Sequence, residues 1–257
     1  MSEPADLVTE RHSWLLERVF EARRVLTKDA ALELGVSVDT IRRDLRELHA
    51  RGLVRRVHGG AVPATNLPHS FTGRTGVADT DRSQLANVIV QRFRANQVIG
   101  LDAGSTNVEV ASLIPPTLEV TVVTNSPAAA VALADHPAAS VILLGGVVDL
   151  NWMATVGPET VDGWRNYRLD VAVVGVCGFD PKAGATTNSH AEVATKRALI
   201  GSAAEVVIPV QAEKLGTAAP YLVGGATELD TIIVESLTDP DLITQYRAQG
   251  IDIIVAA

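Results

Sequence analysis

At 257 residues and 47% hydrophobic, the chain is long enough for one large domain, or for a small domain beside one of ordinary size, and apolar enough for a substantial core. Aromatic residues make up only 4%, so that core must be built from Val, Leu, Ile and Ala. The net charge of −8 excludes a chain that is basic throughout, and the single cysteine, Cys177, excludes an internal disulfide framework and a cysteine-based zinc site.

The charge is uneven. Residues 1–62 hold 11 Lys and Arg against 10 Asp and Glu, whereas 63–257 hold 11 against 20. Within 40–58, Arg42, Arg43, Arg46, Arg51, Arg55 and Arg56 are opposed only by Asp44 and Glu47. A DNA footprint needs such a local basic surface, although an Arg-rich solvated helix face reads the same on charge alone. Leu15, Leu16, Val19 and Phe20 give 11–22 a helical period. Thr27 is expected to cap a second helix, Lys28 to Leu34, which Gly35 ends. Ser37 is placed to cap a third, from Val38 to Ala50, whose Ile41, Leu45 and Leu48 form an inward stripe. Gly52 stops it, and 53–61 reads as a hairpin turning near Gly59 and Gly60. Helix, helix, short turn, helix, hairpin is the order of a winged helix-turn-helix.

A recognition helix meets base edges with its N-terminal part. Ser37, Asp39, Thr40, Arg42, Arg43 and Arg46 lie there, and Arg suits guanine while hydroxyls suit phosphates or bases. Arg55, Arg56 and His58 of the wing are placed for backbone or minor-groove contact. Arg43 or Arg46 could instead pair along the helix with Asp39, Asp44 or Glu47, and for Asp44 this is the expected role, since a carboxylate repels phosphate.

Residues 62–78 are rich in Pro, Thr, Gly and Ser without apolar period and read as a linker. Beyond them, buried strands are expected at 98–102, 120–124, 141–144, 171–176, 206–210, 231–234 and 251–255, with helices over 83–94, 126–135 and 192–204. That alternation indicates an α/β sheet covered on both faces, with ligands at the carboxyl ends of its strands. One such end carries Asp102-Ala103-Gly104-Ser105-Thr106-Asn107, a turn that aims backbone N–H groups and a helix start at an anion. Others supply Thr124-Asn125 and Gly145-Gly146, which fit a pocket or ordinary turn chemistry, the glycines equally well either way. There is no G-x-S-x-G, H-E-x-x-H or G-K-[ST] motif, so no catalytic residue, metal site or cofactor is expected. Cys177 is expected as a packed residue inside an apolar strand, and His190 with Glu192 as an incidental pair. No apolar run approaches the roughly 20 residues that span a bilayer, and the start Met1-Ser2-Glu3-Pro4 lacks a signal-peptide pattern; no membrane partner and a cytoplasmic location are expected.

V-S-x-x-T-I-R-R-D-L over 36–45, followed by G-L-V-R-R-V-H-G-G-A over 52–61, resembles the signature of DeoR-family transcriptional regulators, and the resemblance covers nearly the whole chain. It implies an α/β protein: a winged helix-turn-helix (1–62) joined by a linker (63–78) to a larger sensor domain (79–257) similar to ribose-phosphate isomerases. The implied partners are double-stranded operator DNA, a small phosphorylated sugar effector and further copies of the chain, with repression of carbohydrate-metabolism genes relieved by the effector. It places Asp102, Gly104, Ser105, Thr106, Asn107, Thr124, Asn125, Gly145, Gly146 and Lys214 at the effector. Two departures stand out. Asn107 replaces a usual Thr, and Gln211-Ala212-Glu213 replaces a usual Asp-Ser-Ser before Lys214. The rival readings are an isomerase-like enzyme and a DNA-binding regulator without a small-molecule response. Against the first, the isomerases' D-G-A-D-E run is matched here by Val174-Gly175-Val176-Cys177-Gly178, and Val cannot act as a base.

Overall fold

The computed structural model describes residues 8, 11, 12, 14–16, 18, 19, 24–50, 54–57, 59–63, 80–236, 238 and 240–256. The chain divides into two compact units, residues 1–68 and 69–257.

In the first unit the described residues between 8 and 19 are helical, with Leu15 and Val19 buried; Phe20 lies outside the described residues. Strand β1 (Val25–Leu26) runs directly into helix α1 (Thr27–Glu33), and helix α2 spans Val38–Ala50. Thr27 is not a cap, contrary to expectation. It is the buried first residue of α1, Leu26 holds the cap position in an extended conformation, and the Thr27 amide donates to the Gly59 carbonyl at 2.8 Å. The strand leaves no room for a separate capping residue, and the hairpin turn supplies the missing acceptor. Ser37 does cap α2, its Oγ accepting the Thr40 amide at 3.1 Å. Ile41, Leu45 and Leu48 are buried in one core with Leu15, Val19, Val25, Ala30 and Val54.

Strands β2 (Val54–Val57) and β3 (Gly60–Pro63) form the antiparallel hairpin, with β1 on the other side of β3. Gly59 makes the turn at φ +82°. A Cβ on Gly60 would stand 1.9 Å from the Val25 carbonyl oxygen, so only glycine lets β1 lie against the hairpin. β3 takes in Val62 and Pro63, the first residues of the stretch read as a linker; 64–79 lie outside the described residues.

The second unit is built on one seven-stranded sheet. Its strands are β4 (Val98–Leu101), β5 (Val120–Thr124), β6 (Ala139–Leu143), β9 (Leu169–Val173), β12 (Ala203–Val210), β14 (Thr231–Val234) and β15 (Ile253–Val255). All pair in parallel, in the order β15-β14-β12-β9-β4-β5-β6. On one face, helices α3 (Thr80–Val90) and α4 (Ser105–Leu113) bring Leu85, Ile89, Val110 and Ile114 into one core, and the short α5 (Pro127–Ala132) adds Ala129. The other face buries Trp164 and Leu199 from α6 (Pro158–Arg165) and α7 (His190–Gly201), with Ile243 and Tyr246 from α8 (Pro240–Ala248). This is the two-faced α/β sheet that the apolar runs imply.

Two small antiparallel sheets escape sequence reading: β7 (Val147–Asp149) with β8 (Ala154–Val156), and β10 (Gly178–Asp180), β11 (Gly184–Thr187) and β13 (Tyr221–Gly224). Their strands are three or four residues long and rich in Gly and Thr, too short for a period to register. The strand expected over 171–176 ends at Val173. Val174 and Val176 are apolar because they are buried beside Phe179 and Ala185, not because they belong to the ladder. Cys177 therefore sits half-buried in a loop rather than inside a strand.

From β4 the sheet grows one way through β5 and β6 and the other way through β9, β12, β14 and β15. The strand order therefore switches direction between β4 and β9, and α/β sheets bind ligands outside the carboxyl ends of their strands at such a point.

Candidate nucleic-acid interface and effector site

On α2, Ser37 and Asp39 are exposed and Thr40 half-buried, with the Ser37 and Thr40 hydroxyls 2.8 Å apart. Arg42 is exposed and pairs with Asp39 one turn earlier at 3.0 Å. Arg43 and Arg46 are exposed and carry no hydrogen bond or ion pair among the described residues. On β2, Arg56 is exposed and Arg55 half-buried; His58 lies outside the described residues. Asp44 does not pair along its own helix as expected. It is buried, takes two bonds from Arg11 of the preceding helical stretch (Nε at 2.5 Å, Nη2 at 2.9 Å), and stands 3.4 Å from His12 Nε2. A carboxylate on the inward side of α2 ties it to the helical stretch that holds Arg11, and Arg43 and Arg46 are left as outward charges with no ion pair among the described residues.

The second site lies at the switch point. Asp102 follows β4 and is buried; its Oδ2 accepts the Gly175 amide at 3.0 Å and is ion-paired with Lys196 of α7. Lys196 Nζ also donates to the Gly175 carbonyl at 3.0 Å and lies 3.4 Å from Glu192 one turn earlier. Glu192 in turn accepts the Thr187 hydroxyl at 2.9 Å. A Cβ on Gly175 would come within 2.9 Å of the Ala103 carbonyl, so glycine permits the two strand ends to close on each other. Burial pulls the Lys196 ammonium down, but the charges of Asp102 and Glu192 outweigh it and hold it above the usual lysine range. Burial pushes the Glu192 carboxyl up, against the pull of Lys196.

Around this trio, buried acceptors stand without donors: Asp102 Oδ1, Asn107 Oδ1 and Asn125 Oδ1. The Asn107 amide is already spent on the Asp102 and Val173 carbonyls, at 2.9 and 3.1 Å, so it is not the phosphate donor that its position in the turn suggested. The Asn125 amide donates to the Thr155 carbonyl at 3.1 Å, and Thr124 Oγ1 to the Leu101 carbonyl at 2.6 Å. Helix α4 opens at Gly104, φ +145°, with no side-chain cap, which leaves the amides of its first turn without intrahelical acceptors; Ser105 and Thr106 there are half-buried. Gly145 and Gly146 follow β6 and are exposed, the Gly145 carbonyl accepting the Thr160 hydroxyl at 2.7 Å. Lys214 sits half-buried in a single 3-10 turn after β12.

The lysine that meets Asp102 is thus Lys196, which the sequence does not place at the effector; nor does it place Thr187 or Gly175 there, and Glu192 reads only as an incidental partner of His190. A signal existed: Glu192 and Lys196 stand at i and i+4, a spacing that pairs them on one helix face. What could not be read is that this face is buried.

Among the described residues no helix is long and apolar enough to cross a membrane, and no cluster of metal-ligating side chains forms.

Comparison with known proteins bears on both sites. A family model described as the DeoR-like helix-turn-helix domain matches residues 11–66, and one described as the DeoR C-terminal sensor domain matches 78–236. The HTH-type transcriptional regulator GlpR of Haloferax volcanii is 32% identical over 250 residues, covering 96% of this chain and 98% of that protein. The glycerol-3-phosphate regulon repressor of Escherichia coli is 28% identical, covering 89% and 91%. Among solved structures, ribose 5-phosphate isomerase A from Methanocaldococcus jannaschii is 17% identical with a TM-score of 0.39, covering 53% of this chain and 54% of that one. The full-length relatives are regulators rather than enzymes, and the chain belongs to the DeoR family of DNA-binding transcriptional regulators.

Proposed function

We propose that residues 1–62 bind a double-stranded operator, that 63–78 link the two parts, and that 79–257 sense a small phosphorylated sugar or polyol whose binding releases the DNA. In this reading the chain is a repressor of carbohydrate-metabolism genes, acting as a homo-oligomer in the cytoplasm alongside its DNA. Arg42, Arg43 and Arg46 of α2 contact the operator, with Ser37, Asp39 and Thr40 beside them and Arg55, Arg56 and His58 on the phosphates. The observation that carries the effector half is the pairing, at the carboxyl ends of β4 and β5, of an uncapped helix start with three buried acceptors that lack donors. The α4 amides suit a phosphate, and Asp102, Asn107 and Asn125 suit hydroxyls, which alone of a sugar's groups can donate to them. Thr124, Gly145, Gly146 and Lys214 complete the effector residues at the strand ends.

The regulon of the Escherichia coli relative is named for glycerol 3-phosphate, which makes that compound the first to titrate. The test is an operator-binding titration with glycerol 3-phosphate and a panel of sugar phosphates. Tenfold release needs about 1.4 kcal/mol of coupling, within the usual range for allostery. No response to any of them would favour a regulator without a small-molecule response.

A further inference from the structure

One edge of the seven-stranded sheet is β6, and among the described residues no further strand pairs with it. Residues 137–148, which contain it, carry no charged side chain, and neither does α5 beside it. Edge strands are normally blunted by charges, bulges or a covering element, because their unpaired N–H and C=O groups recruit another strand. Here Val141 is 36% and Leu143 48% exposed on one face of β6, and Val131 of α5, which packs on that strand, is 75% exposed. Just past the end of β6, Val147 is 70% and Leu150 74% exposed. Together these five side chains expose on the order of several hundred Å² of aliphatic surface, and a patch of that size on a soluble protein marks an interaction site.

We infer that this edge joins two copies of the chain, β6 pairing antiparallel with β6 of a second copy about a two-fold axis near Val141. An open strand edge is self-complementary under a two-fold rotation, so one uncharged strand provides both halves of the ladder. The apolar area is of the order needed for the core of a standard interface, about 800 Å² per partner with its polar rim. The inference rests on the homo-oligomer reading and names the surface. It would also place the partner beside the effector site. The β7–β8 hairpin that carries Val147 is bonded to Asn125, the Thr155 amide donating to the Asn125 carbonyl at 2.8 Å.

The test is sedimentation equilibrium of the full chain against the Val141→Lys/Leu143→Lys double variant, with circular dichroism to check folding. The expected result is an even-numbered assembly for the native chain and half its mass for the variant. An unchanged mass in the folded variant would overturn the surface and leave the homo-oligomer reading standing; a native monomer at tens of micromolar would overturn both. Should the double variant fail to fold, Ser140→Cys, Val141→Cys and Ile142→Cys are oxidised singly in the full chain. Strands paired about this axis bring one of the three within disulfide reach of its copy. A covalent dimer from at least one, and none from the native chain with its Cys177, supports the pairing; none from all three overturns it.

Discussion

Asp102 and Lys196, 94 residues apart in sequence, meet as a buried ion pair that closes the carboxyl ends of β4 and β9 over one another. Neither charge is tolerable alone at that depth; the Gly175 amide adds a bond to Asp102 Oδ2, and the Gly175 carbonyl and Glu192 add partners for Lys196.

Lys196→Met should therefore destabilise the sensor unit by about 3–5 kcal/mol, because two carboxylates are then left buried without a cation. Combining it with Asp102→Asn and Glu192→Gln should restore a large part of the loss. Urea unfolding of the three proteins measures this. A Lys196→Met variant as stable as the native chain would show that the pair is not closed in solution.

The raised Glu192 carboxyl has a definite sign. The folded state holds the proton more tightly than the unfolded one, so the contribution is full below the ordinary glutamate range and is lost as pH rises through the higher folded value. Glu192→Gln mimics the protonated form. It should match the native chain in acid and gain stability relative to it as pH climbs to neutrality, read from melting temperatures across that window. A constant difference at all pH values would contradict the shift.

Asp44→Asn should loosen the first unit by about 1–3 kcal/mol, since Arg11 loses its charged partner. Operator affinity should fall only at temperatures where that unit begins to melt. Arg43→Ala should instead cost about 1–3 kcal/mol of operator binding at unchanged stability if Arg43 reads a base. Arg56→Ala should weaken all sequences alike and lower the salt slope by about one. Binding isotherms at several salt concentrations separate the three.

Gly60→Ala should destabilise the same unit by about 1–3 kcal/mol, because a methyl group there collides with the Val25 carbonyl rather than with a flexible side chain. Operator binding should be lost in step with folding. Retention of both would mean that β1 does not lie against the hairpin.

The sequence by itself determined the helices of the first unit and the strands of the seven-stranded sheet, but not the two small sheets beside it. Ile41, Leu45 and Leu48 declare the inner face of α2, Ser37 declares its start, and the Val/Ile runs declare seven strands with helices between them. These are local signals, carried by periods of two to four residues and by turn chemistry. Tertiary structure alone decided the partners. Asp44 reaches Arg11 rather than an arginine on its own helix, Thr27 is enclosed by the hairpin rather than capping, and Asp102 takes Lys196 as its counterion. The strand order that sets β4 beside β9 is fixed by packing across the whole sheet, and a buried charge chooses its counterion by proximity in the folded chain. Neither distance is written in the spacing of residues along it.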